Sequence, residues 1–97
     1  MNSSEYKILE VKFNSLYLAH KNELADDARK EIEHFINHDE IEIALEAFCI
    51  EIIVNNLVLN IDEKEILLNL AEIANLNKES ILDSAIWTKL QKYLSCD

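Results

Sequence analysis

The chain has 97 residues, a formal net charge of −10 and no glycine or proline. Its length allows one domain over residues 1–97, and tight turns usually need glycine, so a turn-rich β-sandwich or barrel is disfavoured. The negative charge disfavours nucleic acid and anionic membrane as direct partners. With 49% apolar residues, the composition predicts an all-α protein: a single compact bundle of about five helices whose ends are set by Asn, Ser and Asp.

The first two predicted helices are amphipathic. Helix 1 is expected over residues 4–20, capped by Ser3 or Ser4, and Asn22 is expected to cap helix 2 after a short break. Helix 2 should end near Asn37, which tolerates the left-handed conformation at a helix exit. The inner stripes are Leu9, Phe13, Leu16 and Tyr17 in helix 1, and Leu24, Ala28, Ile32, Phe35 and Ile36 in helix 2.

Helix 3, predicted over residues 39–56, is apolar on two sides. Its main stripe is Ile41, Ala44, Leu45, Phe48, Cys49 and Ile52, and its second strip is Ile43, Ala47, Ile50 and Val54. Such a helix is either central and packed on both sides, or it exposes one strip to a partner or to a second copy of the chain. The central position is favoured because large exposed apolar patches are uncommon on monomers.

The last two predicted helices begin with sequence patterns that are typical of helix N-termini. After an extended connection over residues 57–61, Asp62 and Glu65 have the spacing of a capping box, with Ile61 and Ile66 as its hydrophobic staple. Helix 4 is therefore expected over residues 63–74. Asn77 is expected to cap helix 5, with a second staple between Leu76 and Ile81 and a possible interruption near Ser84. The expected core residues of the two helices are Ile66, Leu67, Leu70, Ile73, Ala74, Ile81, Leu82, Ile86, Leu90, Tyr93 and Leu94.

The sequence predicts neither an enzyme nor a metal or cofactor site. His34 and His38 have the spacing of two ligands on one helix face, and Glu31 with His34 matches half of a di-iron motif, but the other ligands are missing. Cys49 lies on the main stripe of helix 3 and is expected to be buried and inert. Trp87 is interpreted as a core anchor rather than an interface residue.

Targeting signals are also missing. The first ten residues lack the basic start and apolar run of a signal peptide, and no stretch of about 18 apolar residues predicts a membrane span. Cys49 and the tail residue Cys96 do not form a disulfide framework. These features predict a cytoplasmic location.

The acidic residues are concentrated in the middle of the chain. Residues 23–51 contain ten acidic and two basic side chains, which accounts for eight of the ten net negative charges. Such a segment favours a basic protein partner, whose approach the electrostatic field would accelerate. The alternative is an ordinary solvated surface that aids solubility.

The same region resembles a known family. Residues 38–49 read His-Asp-Glu-Ile-Glu-Ile-Ala-Leu-Glu-Ala-Phe-Cys, and an apolar connection then leads to the acidic helix start at 62–65. This pattern, over about residues 38–76, resembles small bacterial immunity proteins of the Maf type and of contact-dependent growth inhibition systems. Phe48 stands where leucine is usual, and residues 58–60 replace a connection that often contains proline.

The resemblance implies an antitoxin that binds a cognate toxin domain, often a nuclease such as an EndoU-type RNase, and covers its basic active site. An inhibitor of this kind needs only a rigid surface with buried anchors ringed by charge. The alternative is a helical adaptor or regulatory subunit that binds a non-toxin basic protein. The predicted partner-binding residues are the acids Asp39, Glu40, Glu42 and Glu46, the apolar anchors Ile43 and Ile50, and the flanking acids Glu31 and Glu33.

Overall fold

The computed structural model describes residues 2–78, 80 and 82–95, and within them the chain folds as a small all-α bundle. The helices are α1 (Ser3–His20), α2 (Asp26–Asn37), α3 (Ile41–Val54), α4 (Ile61–Ile73) and α5 (Ile86–Ser95). A short 3₁₀ turn, Lys21–Glu23, joins α1 to α2. The predicted fold class is confirmed. The radius of gyration of 12.2 Å is close to the value of about 12.5 Å expected for a folded chain of this length.

The N-terminal caps of α1, α2 and α4 differ from the sequence-based predictions. The cap of α1 is Asn2 rather than a serine, and its side chain accepts from the Glu5 backbone N–H in a full capping box. Ala25 occupies the cap position of α2 and makes no side-chain cap bond, so Asn22 lies in the 3₁₀ turn instead. The capping box of α4 is formed by Asn60 and Glu63. At the starts of α1 and α4 the chain offers polar residues at several neighbouring positions, and the packed backbone determines which of them becomes the cap.

The helix ends show how a chain without glycine terminates its helices. Asp39, Asn56 and Asn75 have φ values of 57°, 51° and 62°, in the left-handed region that favours glycine. Each follows a helix by two residues, and the next amide bonds back to the last turn, as in Leu57 N–H to Ile52 C=O at 3.0 Å. These are Schellman-type ends built on Asp and Asn. The predicted end of helix 2 near Asn37 is confirmed, but the left-handed conformation lies two residues later, at Asp39.

The central position of α3 is confirmed, since α3 packs against all four other helices. All six residues of its predicted main stripe are buried. They meet Leu9, Phe13, Leu16 and Tyr17 of α1, Leu67 and Leu70 of α4, and Ile86 and Leu90 of α5 in one core. Within the second strip Ala47 is buried, Ile43 and Ile50 are half-buried, and Val54 is 72% exposed at the helix end. A helix that is apolar on almost every side is therefore enclosed by its neighbours.

The C-terminal part is more irregular than predicted. Helix α5 begins at Ile86, and the residues described between α4 and α5 form turns rather than the first turns of a helix. The staple partner predicted for Leu76 is Ile81, which lies outside the described residues. Ile61, predicted to form a staple at the start of α4, is instead 76% exposed. Trp87 is half-buried and packs against the core.

None of the helices in the described part of the chain combines the length and the hydropathy that crossing a bilayer requires.

Candidate protein-binding surface

Three of the predicted acidic contacts lie together where α2 turns into α3. Asp39 and Glu40 are exposed in the tight connection between the helices, and Glu42 is half-exposed in the first turn of α3. We call these three residues the acidic corner. Burial raises the pKa of the nearby Tyr6, and the charges of Asp39, Glu10 and Glu42 raise it further. The N-terminal part of α1 therefore adds a fourth carboxylate, Glu10, to the same electrostatic neighbourhood.

The described residues supply no ion-pair partner to the corner carboxylates. In the part of the chain that the structure describes, none of the three has a cationic group within ion-pair distance. The described ion pairs lie elsewhere, for example between Arg29 and Asp26 or between Lys89 and Asp83. The acidic corner is thus a negative surface on a rigid two-helix scaffold.

A second predicted acid, Glu31, borders a groove between α2 and α3. The α2–α3 groove is lined by Ala28, Glu31, Ile32, Ala47, Ile50, Glu51 and Leu82. Ile50, a predicted anchor, is half-buried in the groove and packs against the core. Glu51 and Leu82 were not predicted as site residues. The apolar strip of α3 did point to this groove, but nothing in the sequence indicates that Leu82 lies beside Ile50.

Glu33 lies on a different side of α2. It accepts a hydrogen bond from the Tyr17 hydroxyl at 2.7 Å, and it lines a hollow at the junction of α1 and α2 with Lys21, Arg29 and Lys30. Glu33 therefore shares this hollow with basic side chains and with Asp26. The structure does not bring Glu33 together with Glu31 or with the acidic corner.

Glu46 is a correction to the predicted set, because its side chain is in the interior. It is only 1% exposed, and its Oε2 accepts hydrogen bonds from the backbone N–H groups of Leu82 (2.8 Å) and Asp83 (2.7 Å). The carboxylate fastens the irregular segment before α5 onto the side of α3. A buried carboxylate held by backbone amides supports the fold and cannot be a surface contact.

Ile43, the other predicted anchor, is half-buried in the first turn of α3, next to Glu42 of the acidic corner. Ile43, Ala47 and Ile50 follow one another at helical spacing, so they lie on one side of α3. This line connects the start of α3, where the acidic corner lies, with the α2–α3 groove.

A charged cluster around His20 was missed by the sequence-based predictions. The His20 side chain is 10% exposed and lies between two glutamates: Nδ1 faces Glu23, and Nε2 lies 2.6 Å from Glu63 Oε2. Burial alone would lower the pKa of His20, but the hydrogen bonds and charges of the two glutamates outweigh it and raise the pKa. Since each ring nitrogen faces a carboxylate, the imidazolium form satisfies both bonds by donating twice.

Glu63 links this cluster to the start of α4. Its Oε1 accepts from the Asn60 backbone N–H at 3.0 Å in the capping box, while its Oε2 faces His20. Burial acts to raise the pKa of Glu63, but the Asn60 amide and His20 lower it overall. One side chain therefore caps α4 and joins it to the end of α1.

Replacing His20 with glutamine is expected to lower the free energy of unfolding by about 1–2 kcal/mol at pH 6, where the imidazolium bonds both carboxylates. Because the pKa of His20 is raised above its ordinary value of 6.5 in the folded chain, this stabilisation is fully present below pH 6.5. It is lost as the pH rises through the folded-state pKa. The contribution of Glu63, whose pKa is lowered from 4.5, is lost only as the pH falls through its own folded-state pKa.

The measurement is urea unfolding of the wild type and of His20→Gln at intervals between pH 5 and pH 9. The difference between the two proteins should shrink as the pH rises. His34→Gln is the control, since His34 is exposed. A difference that stays constant with pH, or that grows toward alkaline pH, would contradict an imidazolium at position 20.

The predicted histidine pair does not form a metal site with other side chains. His38 caps the end of α2, its Nδ1 bonding the His34 carbonyl oxygen at 2.8 Å. Within the described residues no three His, Cys, Asp or Glu side chains converge as metal ligands. The two glutamates around His20 lie at opposite edges of its ring, so they do not converge on one point either. Cys49 is fully buried, and burial with the nearby Glu46 charge raises its pKa to about 12, which keeps the thiol protonated.

Comparison of the chain with protein-family models, with curated proteins and with solved structures found no match.

Proposed function

We propose that this chain is an immunity protein that binds a cognate bacterial toxin domain and neutralises it. The toxin is proposed to be a nuclease, such as an EndoU-type RNase, whose basic active site the acidic surface covers. The observation that carries the proposal is the acidic corner: three adjacent carboxylates without a cationic partner among the described residues, held on two tightly packed helices. The resemblance of residues 38–76 to immunity proteins supports the same function.

Electrostatic complementarity explains why such an inhibitor needs no chemistry of its own. A nuclease must attract polyanionic RNA or DNA, so the surface around its active site is basic. An acidic protein is drawn to that surface at a rate that depends on ionic strength, and once bound it excludes the substrate. A rigid scaffold limits the conformational entropy lost on binding, which favours high affinity. The buried core of α3 directly beneath the surface supplies that rigidity.

The double substitution Glu40→Lys/Glu42→Lys is expected to slow association with the toxin domain at least tenfold at low salt, because it reverses two charges of the acidic corner. In immunity systems of the kind that this chain resembles, the immunity gene directly follows the toxin gene, so the toxin domain encoded at that position is the probe. Its association rate with the chain is measured by stopped-flow fluorescence at low and high salt. Growth of cells that express both proteins reports protection.

Glu65→Lys/Glu72→Lys is the matched control, since both glutamates are exposed on α4 and the net charge changes equally. Thermal unfolding of each variant shows that the fold is intact. Equal association rates for the two double variants would overturn the assignment of the acidic corner. Failure of the wild-type chain to bind the toxin domain or to protect cells would overturn the proposed function itself.

A further inference from the structure

The α2–α3 groove combines an apolar floor with carboxylates from both of its helices. Ala47 and Ile50 contribute the accessible apolar surface above the fully buried Ile32, and Leu82, 42% exposed, borders the groove from the segment before α5. Glu31 lines it from α2 and Glu51 from α3. Because Ala28 and Ala47 have the smallest side chains in the lining, the groove lies where the two helices leave space between them.

The charge of the groove is not balanced by its own lining. Among the residues that the structure describes, no basic side chain lines it, and neither Glu31 nor Glu51 has a cationic partner. The Glu51 carboxylate accepts a long hydrogen bond of 3.4 Å from the Asn55 side chain. Other hollows differ in this respect: the one at the α1–α2 junction contains Arg29 and Lys30, and the one between α1 and α4 contains Lys12.

We propose that the α2–α3 groove receives an arginine side chain of the basic partner protein. The inference rests on the proposed function and specifies how that partner is recognised. The methylene stem of an arginine matches the apolar floor, and its guanidinium can bond carboxylates on both helices. Arginine fits this arrangement better than lysine, because the planar guanidinium has five donors in a fixed geometry and is more weakly hydrated than an ammonium group.

The groove therefore offers a partly enclosed binding position, which the exposed acidic corner does not. The corner is exposed, so its charges mainly guide the approach of the partner and contribute through long-range attraction. The groove is partly enclosed, so a guanidinium bound there loses water and holds a fixed position, as binding hot spots do. An enclosed anchor together with a steering surface is expected to give fast association and slow dissociation.

The test uses the intact chain and two short peptides, acetyl-Ala-Arg-Ala-amide and its citrulline analogue. Citrulline has the same shape as arginine without the charge. The methyl resonances of Ile50 and Leu82 are followed by ¹³C-labelled NMR during titration at low, matched ionic strength. The arginine peptide is expected to shift both resonances in a saturable way at millimolar concentration, and the citrulline peptide is expected to shift neither.

Three variants distinguish binding in the groove from non-specific electrostatic attraction to the acidic surface. Glu31→Gln/Glu51→Gln removes both groove carboxylates, and the shifts should weaken at least tenfold in apparent affinity. Ala28→Leu fills the groove and keeps both charges, and it should abolish the shifts. Glu65→Gln/Glu72→Gln removes two exposed charges on α4 and should leave them unchanged.

Several results would overturn the inference. These are equal shifts with the citrulline peptide, stronger binding of acetyl-Ala-Lys-Ala-amide than of the arginine peptide, or shifts that persist in Ala28→Leu or in Glu31→Gln/Glu51→Gln. No toxin is present in this titration, so its failure leaves the protection experiment in place. Conversely, failure of the chain to protect cells overturns the proposed function and leaves the peptide result as it stands.

Discussion

Replacing Phe48 with alanine is expected to lower the free energy of unfolding by about 4 kcal/mol, the usual cost of a large cavity at a buried aromatic position. Phe48 is fully buried on α3, and its ring makes edge-to-face contacts with Phe13 at 5.6 Å and Tyr17 at 6.1 Å between centroids. The substitution therefore empties the junction between α1 and α3. Domains of this size are typically stable by about 5–15 kcal/mol, so much of the stability would be lost.

Phe48→Leu separates the volume of the ring from its aromatic contacts. Leucine keeps most of the apolar contact but loses both edge-to-face pairs, so a loss of about 1–2 kcal/mol is expected. Urea unfolding followed by circular dichroism measures both variants. If Phe48→Ala lowers the free energy of unfolding no more than Phe48→Leu does, the structure must close the cavity at no cost in stability. That result would contradict the tight packing between α1 and α3.

Replacing Glu46 with alanine is expected to lower the free energy of unfolding by about 3 kcal/mol, because two backbone N–H groups lose the buried carboxylate that accepts their hydrogen bonds. Those groups belong to Leu82 and Asp83, which lie 36 and 37 residues further along the chain. The substitution should also release the segment before α5. Amide hydrogen exchange at Leu82 and Asp83 should accelerate more than exchange in α1 or α4.

Glu46→Gln keeps an oxygen that can accept both hydrogen bonds but loses the charge, so a smaller loss of about 1–2 kcal/mol is expected. Glu72→Ala, an exposed position on α4, is the control and should change stability by less than about 0.5 kcal/mol. Equal stability of Glu46→Ala and Glu72→Ala would mean that the buried carboxylate does not hold the segment.

The position of Glu46 affects any experiment on partner binding. Glu46 lies between Glu42 and Glu51 in the sequence, so its sequence context is that of an acid on an exposed helix face. A variant that reverses its charge would place an unpaired cation in the interior and would destabilise the chain. Loss of protection in such a variant would report unfolding rather than a lost contact, which is why the binding test uses Glu40 and Glu42.

The sequence by itself determined the helices and most of the core. Apolar residues at helical spacing predicted the stripes of α1 and α3, and every residue of both stripes is buried. Without glycine or proline, Asn and Asp had to end the helices, as Asn56 does after α3. These features depend on local periodicity and backbone preference, which neighbouring residues specify.

Tertiary structure alone decided which candidate cap was used, which acids were buried and where the groove formed. His20 and Glu63 are 43 residues apart, and Glu46 reaches amides of a segment whose helical start had been predicted too early. A carboxylate looks the same in sequence whether it faces water or a distant backbone amide. The choice between them depends on the desolvation free energy and on partners brought close only by folding, which local pattern does not encode.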